Sequence, residues 1–146
     1  MYIGVKNMKY IVCVDDNLGV SLFNKRQSFD ENLLKDIKNI IGDDKLLVSE
    51  YTYNLFLKYN LENNVYTEKD LYEYNYTFKE VDNLSNYDIS NIIIYRWNRL
   101  YPSDNKLSID LTNYTLLNKY EFIGTSHEKI TREEMIRNDK KQKNIK

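Results

Sequence analysis

Cysteine, proline, histidine and tryptophan occur once each in 146 residues, and glycine only four times. A single thiol excludes an internal disulfide and fits a reducing compartment. Cys13 lies inside an apolar run, where a buried, inert thiol is expected, because an activated thiolate needs exposure and a cationic neighbourhood. With His127 as the only imidazole, a metal site built from several histidines is excluded. No apolar run approaches the roughly 20 residues needed to cross a bilayer. Met1 to Asn7 lacks the basic start and long apolar core of a signal peptide, so a soluble, cytoplasmic protein without membrane association is expected. Neither sign of charge dominates: Lys+Arg 21 against Asp+Glu 22 leaves a net charge of -1. Any polyanion site must therefore be local.

What is present suffices for one domain with a real core. Lys9-Tyr-Ile-Val-Cys-Val-Asp15 reads as a strand buried on both faces. Asp16-Asn17-Leu18-Gly19 breaks it, Asn and Gly tolerating positive φ. Ser28-Phe29-Asp30-Glu31 fits a capping box. The helix it would open carries Leu33, Leu34, Ile37, Ile40 and Ile41 on one stripe, and Gly42 ends it. A strand at Lys45 to Ser49 and a helix from Tyr51 to Tyr59 follow. Further strands are predicted at Val65 to Thr67, Tyr76 to Val81, Asn91 to Arg96, Lys106 to Asp110 and Thr115 to Phe122. Thr131-Arg-Glu-Glu134 fits a second capping box. The organisation predicted is a leader at 1–7, one domain at 8–130 and a charged C-terminal helix or tail at 131–146. Strand and helix alternate first and strands dominate later, which predicts an α/β fold with flanking helices and a mainly parallel central sheet that ends antiparallel.

The order of these segments resembles dihydrofolate reductase. Ile11 to Val20 is similar to that family's first strand and the start of its mobile loop. Leu47 to Tyr53 is similar to its strand-to-helix turn, where a Gly-Arg-x-Thr-Phe pattern lies over cofactor phosphate. Tyr101-Pro102, Ile109-Asp110 and Tyr114-Thr-Leu116 resemble the region before its last strand. The resemblance implies a dihydrofolate-reductase-like fold and makes Asp30, at the start of the first helix, the nearest match to the folate-binding carboxylate. Such a group can help protonate a pterin only if its surroundings raise its pKa. Ser49 stands in the cofactor turn where the family has Gly, and Glu50 where it has Arg. Thr52 alone matches, and the family's Gly-Gly pair has no counterpart. No cofactor is expected, and NADPH-dependent hydride transfer is disfavoured.

Phe23-Asn-Lys-Arg-Gln-Ser28, Tyr95-Arg-Trp-Asn-Arg99 with Tyr101-Pro-Ser-Asp104, and Ser126-His-Glu-Lys-Ile130 resemble a group of small bacterial proteins often labelled ribonuclease Z. The nuclease of that name holds two zinc ions through several histidines, which one histidine and one cysteine cannot replace. The function expected is binding of an anionic or nucleotide-like ligand, without hydride transfer. Arg26, Arg96 and Arg99 would act as charge partners, Trp97, Asn98, Tyr51 and Thr52 as further contacts, and no residue as a metal ligand. Asp30 and His127 are the candidate catalytic residues. One alternative is an interaction or regulatory module that docks through the basic loop and the C-terminal helix. Another is a metal-independent, RNA-acting enzyme using His127 with Arg96 or Lys129.

Overall fold

The computed structural model of the protein describes residues 6–68, 73–78, 80 and 87–139. Strand β1 (Lys6–Val14) leads through a tight turn into a small hairpin, β2 (Gly19–Leu22) and β3 (Lys25–Arg26). Helix α1 (Glu31–Ile41), strand β4 (Leu46–Val48), helix α2 (Glu50–Lys58) and strands β5 (Val65–Tyr66) and β6 (Tyr76–Phe78) come next. The second half contributes β7 (Tyr87–Arg96), β8 (Asn105–Lys106), β9 (Tyr114–Phe122) and β10 (Ile130–Arg137).

Seven strands form the central sheet in the order β5-β4-β6-β1-β7-β10-β9, while β3-β2-β8 make a second, smaller sheet. β4 is parallel to β5 and β6, and β1 is parallel to β6 and β7. β10 runs antiparallel between β7 and β9. The expected α/β fold with a mainly parallel sheet and an antiparallel C-terminal end is therefore present. Period-2 alternation along β1 divides the core. Ile11 and Cys13 face Leu33, Leu34 and Ile37 of α1 and Phe56 of α2, whereas Tyr10, Val12 and Val14 face Val20, Ile92 and Ile94. Both described helices thus cover one face of the sheet, and Leu107, Ile109 and Leu111 help to close the other. No helix among the described residues is long and apolar enough to cross a membrane.

Several local expectations are corrected. The N-cap of α1 is Asp30, not Ser28: its side chain accepts from Asn32 N and Leu33 N. A carboxylate there closes the first turn and adds a favourable charge at the positive end of the helix dipole. In the turn after β1, Leu18 takes the positive φ of 62°. The turn is held by Asp15, whose carboxylate accepts from the backbone N–H groups of Asn17, Gly19 and Tyr101. The segment expected as a C-terminal helix is β10, so the sheet runs past the predicted domain end at 130, and β1 begins inside the predicted leader. Local capping signals lose here to the long, apolar edge of β7, which needs a hydrogen-bonded neighbour. Of the strand predicted at Lys106 to Asp110, only Lys106 is in a strand, the two-residue β8 (Asn105–Lys106). Residues 79 and 81–86, which include part of one predicted strand, lie outside the described residues.

Gly42 ends α1 as predicted, at φ 58° and ψ -123°. That region is nearly restricted to glycine, so Gly42→Ala is expected to lower stability by about 1–3 kcal/mol without changing the fold. Urea denaturation followed by circular dichroism measures the difference.

Candidate functional site

In open α/β sheets, ligands collect beyond the carboxyl ends of the parallel strands, where connections diverge. Here β1 runs into Asp15, β4 into α2, β6 towards Glu80 and β7 into Trp97. Two polar assemblies fill this end of the molecule.

The first is centred on Asp30, which is only 1% exposed. Its Oδ1 accepts from Asn32 N, Leu33 N, Thr125 N and Thr125 Oγ1. Its Oδ2 accepts from Ser126 N at 2.9 Å, Ser126 Oγ at 3.2 Å and His127 Nδ1 at 3.0 Å. Burial alone would push this carboxyl pKa up. The N–H groups of Ser126 and Thr125, with His127, outweigh burial and hold it far below the usual carboxylate range. An ionised carboxylate only accepts, so the His127 proton sits on Nδ1. Nε2 is left to accept from Tyr101 Oη at 2.8 Å and Ser28 Oγ at 3.3 Å. The imidazole also lies against Trp97, with ring centroids 4.5 Å apart and planes 25° from parallel. This is the connectivity of a nucleophile–base–orienter chain, but Tyr101 already takes the free imidazole nitrogen and Trp97 covers a face. The assembly ties the loop between β9 and β10 to the start of α1. Gly124 sits where a Cβ would stand 2.4 Å from Asp30 Oδ2.

The second assembly begins at Arg26, which is 6% exposed, with its guanidinium 3.7 Å from the centroid of the Phe78 ring. Nη1 donates to Thr52 Oγ1 at 3.0 Å, and Thr52 Oγ1 donates in turn to Glu80 Oε1 at 2.7 Å. Ser49, the N-cap of α2, also donates to Glu80 Oε1. A buried cation and a buried anion are thereby joined through a hydroxyl. The carboxylate occupies the N-terminal end of α2, where an exogenous anion would otherwise be favoured. Arg26 Nη2 has no hydrogen-bond partner among the described residues. Cys13, near Arg26 and Asp30, is buried, and desolvation pushes its thiol up to about 12, as expected for an inert core residue.

Beside this relay opens a groove of about 710 Å³, lined among the described residues by Phe23, Asn24, Lys25, Tyr51, Glu50, Glu68 and Glu80. The two-residue turn between β2 and β3 places both Phe23 and Asn24 at positive φ, 52° and 63°. This is the backbone of a type I′ hairpin turn, and it turns Phe23 out to 79% exposure at the rim. Lys25 Nζ lies 5.6 Å from the centroid of the Tyr51 ring.

The sequence-predicted residues therefore separate. Asp30, His127 and Trp97 meet in one assembly, Arg26 and Thr52 in the other, and Tyr51 lies at the groove. Arg96 does not converge with them: alternation along β7 puts it on the sheet face opposite Trp97, where Nε donates to Glu133 Oε1 at 2.9 Å. Asn98, at φ 59°, donates to Lys129 O and Thr131 Oγ1 and so fastens the end of β7 to β10. Arg99 is exposed, and its carbonyl accepts from Asp16 N. The space between the Asp15 turn, α1 and Arg96 to Arg99 is filled by Trp97, His127 and Tyr101. Lys129 pairs with Glu121 at the surface, away from the buried His127. The C-terminal helix proposed as a docking surface is an inner strand of the sheet. Sequence reasoning missed Glu80, Phe23, Ser28 and Tyr101 as site residues. Only the Phe23-Asn24 step between two short extended segments carried a local signal, that of a hairpin turn.

No family model matches the chain, and no curated protein matches it in sequence. In fold it is similar to the solved structure of dihydrofolate reductase from Enterococcus faecalis complexed with NADP(H) and RAB-propyl, at a TM-score of 0.61. The match covers 91% of this chain and 97% of that one at 13% sequence identity, so the likeness is one of fold. None of these findings points to ribonuclease Z.

Asp30 supplies a pH-dependent contribution whose sign follows from its depressed pKa. The unfolded carboxyl titrates at about 3.9, and the folded one well below that. The stabilisation is therefore complete above about pH 5 and is lost as pH falls through the folded pKa. Asp30→Asn is expected to cost about 3 kcal/mol at neutral pH, and its deficit should shrink below about pH 4. Gly124→Ala should cost about 2 kcal/mol by crowding the same carboxylate. Urea melts across pH measure both.

Proposed function

We propose that the protein is a ligand-binding domain on a dihydrofolate-reductase-like fold, and that its ligand is planar and base-like: a nucleoside or heteroaromatic amine without phosphate. The observation that carries this reading is the groove at the mouth of β4 and α2. Phe23 and Tyr51 line it with aromatic rings, Lys25 lies over the Tyr51 ring, and Glu50, Glu68 and Glu80 line it with carboxylates. Stacking on aromatic faces is worth about 1–3 kcal/mol per base. Carboxylates at the rim accept hydrogen bonds from exocyclic amines. The same charges oppose phosphate, and Glu80 already holds the Ser49 and Thr52 hydroxyls at the α2 N-terminus. This reading takes a neutral or cationic ligand where the sequence led to the expectation of an anionic or nucleotide-like one.

Hydride transfer to a folate is disfavoured on separate grounds. The carboxylate nearest to a folate-binding position, Asp30, is enclosed by protein donors and held ionised, the reverse of the raised pKa that a proton donor needs.

Isothermal titration with adenosine, AMP, NADPH and dihydrofolate tests the proposal. Adenosine is expected to bind more tightly than AMP, and Tyr51→Ala to weaken adenosine binding by about tenfold. Flat titrations with all four would refute the groove as a ligand site. NADPH-dependent turnover of dihydrofolate that disappears in Asp30→Asn would instead restore the reductase reading.

A further inference from the structure

The two edges of the central sheet are unequal. At one end β5 has two residues; at the other β9 has nine. Among the described residues β9 pairs only with β10, so one side of its backbone faces outward. A long edge strand with free N–H and C=O groups is a template for another strand, and proteins usually blunt it with short length, charge or a bulge. β9 does have a bulge, since Glu134 and Met135 lie opposite Asn118 and Leu116, with Leu117 as the extra residue. Beyond it, Asn118 to Phe122 pairs with β10 without interruption, and exposed apolar side chains flank the charged Lys119 and Glu121: Leu117 is 57%, Tyr120 52% and Ile123 77% exposed.

We propose that this edge pairs antiparallel with the same edge of a second copy, around a two-fold axis at Tyr120, to make one sheet continuous through both molecules. Charge selects the register. With the axis at Tyr120, Lys119 of each copy stands opposite Glu121 of the other, Leu117 opposite Ile123, and the two Tyr120 rings face each other. Moving the axis to Lys119 opposes two ammonium groups, and moving it to Glu121 opposes two carboxylates. Like charges directly opposite are destabilising and unlike ones stabilising. An axis at Asn118 puts Lys119 opposite Leu117 and Glu121 opposite Thr115, so neither charge finds a partner. The interface uses none of the groove residues.

Sedimentation velocity across a concentration series tests the pairing. The wild type is expected to show a monomer–dimer equilibrium. Lys119→Glu or Glu121→Lys alone should raise the dissociation constant about tenfold, because each puts like charges opposite one another twice. The double variant Lys119→Glu/Glu121→Lys restores opposite charges and is expected to return close to wild-type affinity. Both substitutions are on exposed side chains, and circular dichroism checks that each variant keeps the fold. A wild type that stays monomeric into the sub-millimolar range overturns the proposal. A dimer indifferent to the single substitutions, or a double variant as weak as the singles, also overturns it.

Discussion

The buried Asp30 carboxylate holds this end of the molecule together. It closes the first turn of α1 from one side and receives the Thr125 and Ser126 N–H groups from the other. It also sets the His127 tautomer, which in turn takes the Tyr101 hydroxyl. Residues nearly a hundred positions apart are thus joined through two oxygen atoms. Neutralising such a group would leave its donors buried and unmatched, which costs more than the bonds themselves contribute.

A second constraint follows from burying Arg26. A guanidinium out of water needs a countercharge, and Glu80 supplies one through Thr52 rather than by direct contact. The side chains that hold this pair are those of the α2 N-terminus. The chain therefore spends on itself the anion-binding capacity of that helix end. The groove beside it keeps aromatic surface and carboxylates, a different chemistry from a phosphate grip.

Most of the architecture was legible in the sequence because its signals are local. The apolar run of β1, the stripe on α1 and Gly42 each state their structure within a few residues. Thr131 to Arg137 misled because its capping pattern is also local, whereas its fate depends on the bare edge of β7. Asp30 was legible as a residue near a helix start, but not as the cap, because the donors from Thr125 and Ser126 come from the other end of the chain. Arg96 and Arg99 looked convergent as neighbours in sequence. Strand alternation sends Arg96 to the far face of the sheet, and Glu133, from another strand, engages it there. Glu80 gave no signal, since a single glutamate becomes a countercharge only when folding brings Arg26 and Thr52 to it.

Trp97 is the chain's only tryptophan, and it lies flat against His127 in a dry setting. Its emission comes from the place where the end of β7, the start of α1 and the loop between β9 and β10 meet. Any lifting of that loop admits water to the indole and moves its spectrum to longer wavelength. The protein thus carries an optical reporter confined to the junction that Asp30 secures.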